Sequence, residues 1–305
     1  MKTIVSLGES VIDKIYVISE LKPGLKFEVL TQKISYGGPS LVSALFFSKL
    51  SFNVYFFTTL SKDADGLALR RLLTKNKIKI INVSSSLKKN LVIIDSKNRT
   101  RTILRESENK LKTNKLDKKI IKSADLIFLD RHFAKFFEII RKNKKINTEI
   151  IFDPSTEISE RTLKVLRNIN YPIIPWESLK YFSSSNLKKA IGLAQKYIGK
   201  LIIITCGPFG SILGINGKIK IFPPYKTKEI DPTGAGDIFR AAFGFGLLKG
   251  WQLEKSIDFA NFVASLHLQK LGNGDVLPSF KKILLSPKRK KKINFEILVE
   301  NYKKI

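Results

Sequence analysis

Apolar and polar positions along this chain follow a pattern that predicts strands and helices in turn. Short apolar runs are typical of buried strands, and they occur at residues 4–8, 54–59, 125–129, 149–152, 173–174 and 201–205. Helical spacing is found between and after them, at residues 40–50, 67–76, 134–142, 159–167, 186–197, 235–249 and 253–271. Repeated alternation of this kind predicts an α/β fold, with a mostly parallel central sheet covered by helices on both faces.

Two excursions do not fit this alternation. Residues 12–36 and 88–106 carry extended segments in a polar setting, and the second has a hairpin pattern around a short polar run. We expect the two excursions to form a small separate sheet. The sequence thus predicts one domain over residues 1–285, including this small sheet, and a basic, solvated tail over residues 286–305.

Apolar run lengths and cysteine usage indicate the expected compartment. The sequence has no run of eighteen apolar residues, so we expect no membrane-spanning helix. The apolar stretch after Met1 is too short for a signal peptide. A single cysteine, Cys206, excludes an internal disulfide framework and fits a reducing cytoplasm.

The formal net charge of +29 could indicate binding to nucleic acids or to anionic membranes. The lysines are, however, spread over the whole chain instead of forming one stripe. Lysine, isoleucine and asparagine are abundant together, which is typical of an AT-rich coding background. We therefore expect no specific nucleic-acid partner and no membrane partner, although the positive field is compatible with phosphorylated ligands.

The segment from Asp231 to Asp237, Asp-Pro-Thr-Gly-Ala-Gly-Asp, carries the strongest chemical signal. Gly234 and Gly236 allow backbone torsions closed to other residues and let amide groups approach a ligand. They lie where a loop turns into an apolar helix, and the start of a helix suits a phosphate. Asp237 could be a simple helix cap. The glycine run, however, exceeds what a cap requires, and Asp231 already supplies an upstream acid.

Phosphoryl transfer is the functional interpretation of this segment. An alcohol that attacks a γ-phosphate needs a base for its proton and donors for the charge on the transferring group. Asp237 would be the base, and the amides of Gly234, Ala235 and Gly236 would hold the phosphoryl oxygens. The segment is not a Walker loop, because the chain has no Gly-x-x-x-x-Gly-Lys-[Ser/Thr].

The segment resembles the signature Asp-Thr-x-Gly-Ala-Gly-Asp-x-Phe of the ribokinase-like (PfkB) carbohydrate kinases, with Pro232 in place of a threonine. Further similarities follow in the family's order, at Gly8 with Asp13, Gly37 to Pro39, residues 61–66, Arg101 to Ile103, residues 205–210, and residues 259–272 followed by Pro278. The resemblance implies a three-layer sandwich with a mostly parallel central sheet and a small β lid, which the excursions at residues 12–36 and 88–106 would form. It also implies an ATP-dependent kinase.

The resemblance assigns roles to individual positions. Asp237 would be the catalytic base and Gly234 to Gly236 the anion hole, while Asp13, Gly37 and Gly38 would lie along the substrate. The nucleotide would contact Thr205, Gly207, Gly210, Asn261 and Gly272. Plain structural roles stay open: a buried cap for Asp13, turns for the glycines and a solvated face for Asn261.

Two metal ions are implied in the same way. Asp231 and the Thr233 carbonyl would bind a monovalent cation, usually potassium, although a loop-bracing Asp231 is equally compatible with the sequence. Magnesium would accompany ATP. The family's Asn-x-x-Glu motif falls at Trp176 to Leu179, where Glu177 is a partial substitute or an ordinary surface residue.

Departures from the family pattern leave the substrate open. Val42, Ser155 and Trp176 stand where the family has asparagines. The small-molecule substrate could therefore be a sugar or a cyclitol such as inositol, with a nucleoside as the alternative. A non-catalytic ligand-binding protein is a further alternative. Asp130 to His132 follow a strand end and could reach a substrate, although a solvent-facing His132 is the simpler expectation. We expect a monomer, or a homodimer formed through the lid.

Overall fold

The computed structural model describes residues 1–98, 100–105, 111, 116–285 and 289–305. Residue 99 of the predicted hairpin, residue 106 of the second excursion and residues 286–288 of the predicted tail lie outside the described residues. The strands are Thr3–Leu7 (β1), Val11–Ile18 (β2), Thr31–Gly37 (β3), Asn53–Thr59 (β4), Lys79–Ser84 (β5), Lys88–Asp95 (β6), Thr100–Arg105 (β7), Leu126–Asp130 (β8), Glu149–Asp153 (β9), Ile173–Pro175 (β10), Leu201–Thr205 (β11), Ser211–Ile215 (β12) and Lys218–Phe222 (β13). The α-helices are Pro39–Lys49 (α1), Ala64–Lys75 (α2), Lys118–Ser123 (α3), Phe137–Asn143 (α4), Glu160–Leu166 (α5), Leu187–Tyr197 (α6), Ala235–Leu248 (α7), Leu253–His267 (α8), Phe280–Leu285 (α9) and Phe295–Tyr302 (α10).

A five-stranded parallel sheet forms the centre, in the order β5-β4-β1-β8-β9. A second sheet has the order β10-β11-β12-β13, in which β10 and β11 are parallel and the remaining pairs antiparallel. The carboxyl ends of β1, β8 and β9 meet at one edge, where open parallel sheets bind ligands. The predicted α/β class and mostly parallel central sheet are confirmed.

Helices cover both faces of the sheets. One core contains side chains of α1, α2, α7, α8 and α9, and the other contains side chains of α3, α4, α5, α6 and α10. Residues 238–246 of α7 are all buried, which is why this helix has no polar stripe. In the described part of the chain no helix is nevertheless long and apolar enough to cross a membrane.

The two excursions form the predicted lid, a four-stranded sheet in the order β3-β2-β6-β7. β2 pairs with β3 antiparallel and with β6 parallel, and β7 closes the sheet antiparallel to β6. Its small core of Ile15, Val92 and Ile94 packs against Leu271, which lies in the loop after α8. β3 ends at Gly37, so the lid leads directly into the glycine pair before α1.

The C-terminal residues differ from the expected solvated tail. α10 follows the basic run and buries Leu298 and Tyr302 completely. The Tyr302 hydroxyl donates to the carbonyl oxygen of Ser183 at 2.6 Å. The physical reason is visible in the sequence, since Phe295, Leu298, Val299 and Tyr302 have the spacing of an apolar helix face.

Close packing between α7 and α8 requires a glycine at position 246. A Cβ atom there would lie 2.7 Å from the Ser256 Cβ atom and 3.1 Å from its Cα atom. We expect Gly246→Ala to lower the free energy of unfolding by about 1–3 kcal/mol through overpacking. Urea unfolding followed by circular dichroism would measure this.

Gly192 provides the matched control, because it is exposed inside α6 and a Cβ atom there would meet nothing within 4 Å. Gly192→Ala should raise the free energy of unfolding by about 0.5–1 kcal/mol, since alanine favours a helix more than glycine does. Equal effects of the two substitutions would contradict the assigned α7–α8 packing.

Candidate active site

Asp237 lies in the first turn of α7, directly after the predicted anion-hole segment. Gly234 precedes the helix with φ of 78°, a left-handed conformation that favours glycine. A Cβ atom on Gly234 would also clash with the Asn273 side chain. The Ala235 N–H donates to the Pro232 carbonyl at 3.2 Å, so a ligand would meet chiefly the amides of Gly234 and Gly236.

A buried ion pair lies next to Asp237. Arg240, one turn further along α7, places its Nη1 atom 3.2 Å from an Asp153 carboxylate oxygen and 3.2 Å from the Gly236 carbonyl. Asp153 ends β9, at the carboxyl edge of the parallel sheet. Burial, followed by the negative charge of Asp153, raises the pKa of Asp237 to about 7, and Arg240 partly opposes this. Asp237 is therefore suited to exchange a proton near neutral pH.

The predicted substrate residues lie together on the lid side of Asp237. The Asp13 carboxylate accepts a hydrogen bond from the Asn90 side chain at 2.9 Å. A Cβ atom on Gly37 would lie 2.7 Å from the other Asp13 oxygen and 2.7 Å from the Asn273 amide nitrogen. Burial raises the pKa of Asp13, while the Asn90 hydrogen bond and the charge of Arg101 oppose the increase. Asn273 thus lies between Gly37, which is predicted to lie along the substrate, and Gly234 of the predicted anion hole.

Position 38 requires a glycine for steric reasons. Its φ is 106°, and a Cβ atom there would clash with the carbonyl oxygen of Glu9. The close contact holds the start of α1 against the segment that follows β1. The carboxyl end of β1, the lid and α1 therefore meet at the Gly37–Gly38 pair.

Asp130 at the end of β8 braces the neighbouring loop. It accepts the backbone N–H groups of Glu9, His132 and Phe133 at 2.8, 3.0 and 3.1 Å. Burial and the charge of Glu9 raise its pKa well above the usual range. The expectation of a solvent-facing His132 is wrong. Its Nδ1 atom lies 3.3 Å from the Glu9 carboxylate, and its side chain is only 19% exposed. Burial and nearby Lys88 lower the pKa of His132 to about 3, so it is neutral.

The lid contacts the motif loop directly. Arg101 of β7 donates from Nη1 to the Thr233 hydroxyl at 2.8 Å. Lys33 of β3 donates to the Leu271 carbonyl at 2.7 Å and lies 2.7 Å from an Asp275 carboxylate oxygen. These contacts hold the lid sheet over the cleft that contains Asp13 and Asp237.

Asp231 makes the contacts of a loop brace. One carboxylate oxygen accepts the Thr233 N–H at 2.9 Å and its hydroxyl at 2.6 Å, and the other accepts the Gly272 N–H at 2.9 Å. The Thr233 carbonyl in turn lies 2.9 Å from the His267 Nε2 atom. The oxygen atoms predicted to bind a monovalent cation are thus already hydrogen-bonded, and these residues do not fit that ion.

The predicted nucleotide-side residues fall into two groups. Thr205 ends β11, and Gly207 begins the short turn that follows it, where a Cβ atom would meet nothing within 4 Å. Gly210, in contrast, is packed against the Phe222 carbonyl. Asn261 is buried and donates to the Ser211 hydroxyl at 3.0 Å and to the Phe222 carbonyl at 3.1 Å, so it joins α8 to β12 and β13. Gly272 is engaged with Asp231.

Glu177 is held by the neighbouring Trp176 side chain. It accepts a hydrogen bond from the Trp176 indole at 3.0 Å, and Trp176 packs on Phe209 of the loop after β11. Among the described residues, no group of three or more His, Cys, Asp or Glu side chains is arranged to hold a metal. Magnesium bound with a nucleotide needs only one or two protein carboxylates, which Glu177 beside that loop could provide in part.

Sequence reasoning missed four residues of this site, namely Asp153, Arg240, Asn90 and Asn273. A signal existed for Arg240, because it is a charged residue in an apolar helix one turn after Asp237. Asp153 directly follows the strand predicted over residues 149–152 and was therefore also detectable. Asn90 and Asn273 are identified only by the three-dimensional contacts with Asp13 and Gly37.

Comparisons with known proteins agree with this fold. The family described as pfkB family carbohydrate kinase matches residues 1–279. The ribokinase of Lactococcus lactis subsp. lactis is 26% identical over 257 residues, which cover 81% of this chain and 84% of that protein. The solved ribokinase of Thermotoga maritima has a TM-score of 0.78 at 22% identity, covering 93% of this chain and 98% of that one. The Arabidopsis thaliana ribokinase, solved with ribose and ATP, has a TM-score of 0.72 at 21% identity, covering 93% and 97%.

Proposed function

Since the chain belongs to the pfkB family of carbohydrate kinases, we propose that it transfers the γ-phosphoryl group of ATP to a hydroxyl group of a sugar or cyclitol. Asp237 is the general base in this proposal. The observation that carries it is the position of Asp237, in the first turn of a buried helix, beside the Gly234–Gly236 amides and with its pKa raised to about 7.

The substrate hydroxyl would lie between Asp237 and the anion-hole amides. Asp237 accepts the hydroxyl proton as the oxygen attacks the γ-phosphorus and the bond to the β-phosphate oxygen breaks, which yields ADP. The helix-start amides and the positive end of the helix dipole stabilise the phosphoryl oxygens. The Arg240–Asp153 ion pair holds the first turn of α7 through the Gly236 carbonyl and so orients the base.

The lid supports binding and the exclusion of water. Asp13, held by Asn90, is suited to accept hydrogen bonds from substrate hydroxyls beside Gly37. Arg101 joins the lid to Thr233, so closure of the lid and ordering of the anion hole are linked. A closed lid would keep water from the γ-phosphate and limit ATP hydrolysis.

ATP with magnesium is the proposed phosphoryl donor. The Arabidopsis relative solved with ribose and ATP supports the nucleotide, and the open loop at Gly207 supports its location beside β11. Magnesium supplies charge neutralisation of the triphosphate when bound, and Glu177 is the proposed protein contact to its hydration shell. A cytoplasmic location, where ATP is available, belongs to the same proposal. The proposal also includes a monomer, or a homodimer formed through the lid.

Asp237→Asn should lower kcat by about 10²–10⁴-fold, because an amide cannot accept the hydroxyl proton. ATP binding, measured by calorimetry, should be retained, since the amides and the helix start are unchanged. Glu254→Gln is the matched control: it makes the same change in the first turn of the neighbouring helix α8 and should leave kcat unaltered. Undiminished turnover of Asp237→Asn would refute the mechanism.

The pH dependence of kcat/KM provides a second prediction. With the pKa of Asp237 at about 7, activity should fall as pH decreases below that value, because the base becomes protonated. Asp153→Asn removes a neighbouring negative charge, which lowers the pKa of Asp237 and should move the acidic limb of the profile to lower pH. A limb that stays in place in Asp153→Asn would exclude Asp237 as the titrating group.

The acceptor can be identified by thermal shift with sugars, cyclitols and nucleosides, each with and without a nonhydrolysable ATP analogue. A ligand that binds the native state raises Tm by mass action even when turnover is slow. We expect stabilisation by a sugar or cyclitol. Stabilisation and phosphorylation confined to nucleosides would favour a nucleoside kinase. Ligand binding without phosphoryl transfer in any combination would favour a non-catalytic binding protein.

A further inference from the structure

His267 makes a buried contact with the motif loop that the phosphoryl-transfer chemistry does not use. It is the last residue of α8 and has no solvent-exposed surface. Its Nε2 atom lies 2.9 Å from the Thr233 carbonyl oxygen. A carbonyl oxygen can only accept, so Nε2 carries a proton and donates it in this hydrogen bond. A Cβ atom on Gly234 would lie 3.1 Å from the same nitrogen, so the imidazole also packs against the anion-hole glycine.

The surrounding oxygen atoms leave little for a cation to bind. Three N–H or O–H donors, from Thr233 and Gly272, already point at the two Asp231 carboxylate oxygens. Potassium is held by several oxygen atoms that replace its hydration shell. An N–H group directed at such an oxygen competes with the ion, because its positively polarised hydrogen lies where the ion would bind. The Thr233 carbonyl is occupied in this way by His267.

We propose that His267 replaces the monovalent cation in this chain, so that phosphoryl transfer does not require potassium. The imidazole N–H holds the Thr233 carbonyl, and through it the backbone that leads into Gly234. His267 is thus a positioning residue for the anion hole. Potassium-independent phosphoryl transfer rests on the proposed kinase function, whereas the replacement of the bound cation by His267 does not.

The test compares potassium chloride with tetramethylammonium chloride at equal ionic strength, because tetramethylammonium is too large for such a site. For the unaltered protein, kcat should agree between the two salts within about twofold, and Tm should be the same. A Tm or kcat that rises specifically with potassium would overturn the proposal.

His267→Ala provides the sharper comparison. Loss of the hydrogen bond should lower kcat by about tenfold in tetramethylammonium chloride. Potassium should restore part of the activity and raise Tm, because the substitution frees the Thr233 carbonyl and leaves space beside it. His267→Gln, which keeps an N–H donor, should retain the insensitivity to potassium.

Ser265→Ala is the control for a purely structural effect. Its buried hydroxyl donates to the Phe262 carbonyl within α8 at 2.7 Å, two residues before His267. This variant should lose stability without any potassium response. An equal, potassium-independent loss in His267→Ala and Ser265→Ala would refute replacement of the cation. If no acceptor is phosphorylated in either salt, the kinase proposal fails, and the comparison of Tm values still decides the cation proposal.

Discussion

The carboxylate of Asp231 joins three parts of the chain that meet at the cleft. It accepts hydrogen bonds from Thr233 at the start of the motif and from Gly272 in the loop after α8. Thr233 receives Arg101 from the lid, and the Gly272 loop presents Asn273 to both Gly37 and Gly234. The start of α7, and with it the position of Asp237, therefore depends on one buried acceptor.

Negative charge gathers in the cleft although the chain carries a net charge of +29. Asp13, Asp153 and Asp237 approach one another there, and their mutual repulsion is reduced by Arg240, Arg101 and the Asn90 amide. A cluster of this kind costs stability, which is common at sites whose chemistry needs a displaced pKa. The net charge of the whole chain therefore does not describe the cleft, where these three carboxylates lie.

The sequence was sufficient for the features that depend on local pattern. Strand–helix alternation predicted the α/β class, and the glycine run before Asp237 predicted the helix start at which it lies. Contacts between residues that are distant in the sequence could not be predicted from local pattern. His267 and Thr233 are 34 residues apart, and nothing in either segment indicates the other. The buried hydrogen bond of Asn261 to Ser211 was missed for the same reason. The packing of α10 was missed because its apolar face is short and lies within a lysine-rich segment.

The parallel pairing of β2 with β6 has a consequence for how the protein folds. These strands are the centre of the lid, yet α1, β4, α2 and β5 lie between them in the chain. The β2–β3 hairpin therefore has no second neighbour until the first half of the central sheet has been synthesised and has brought residues 88–95 back. Closing such a loop is entropically costly, so the lid should assemble late. Because its own core is small, it should also be the first part of the protein to open once the fold is complete.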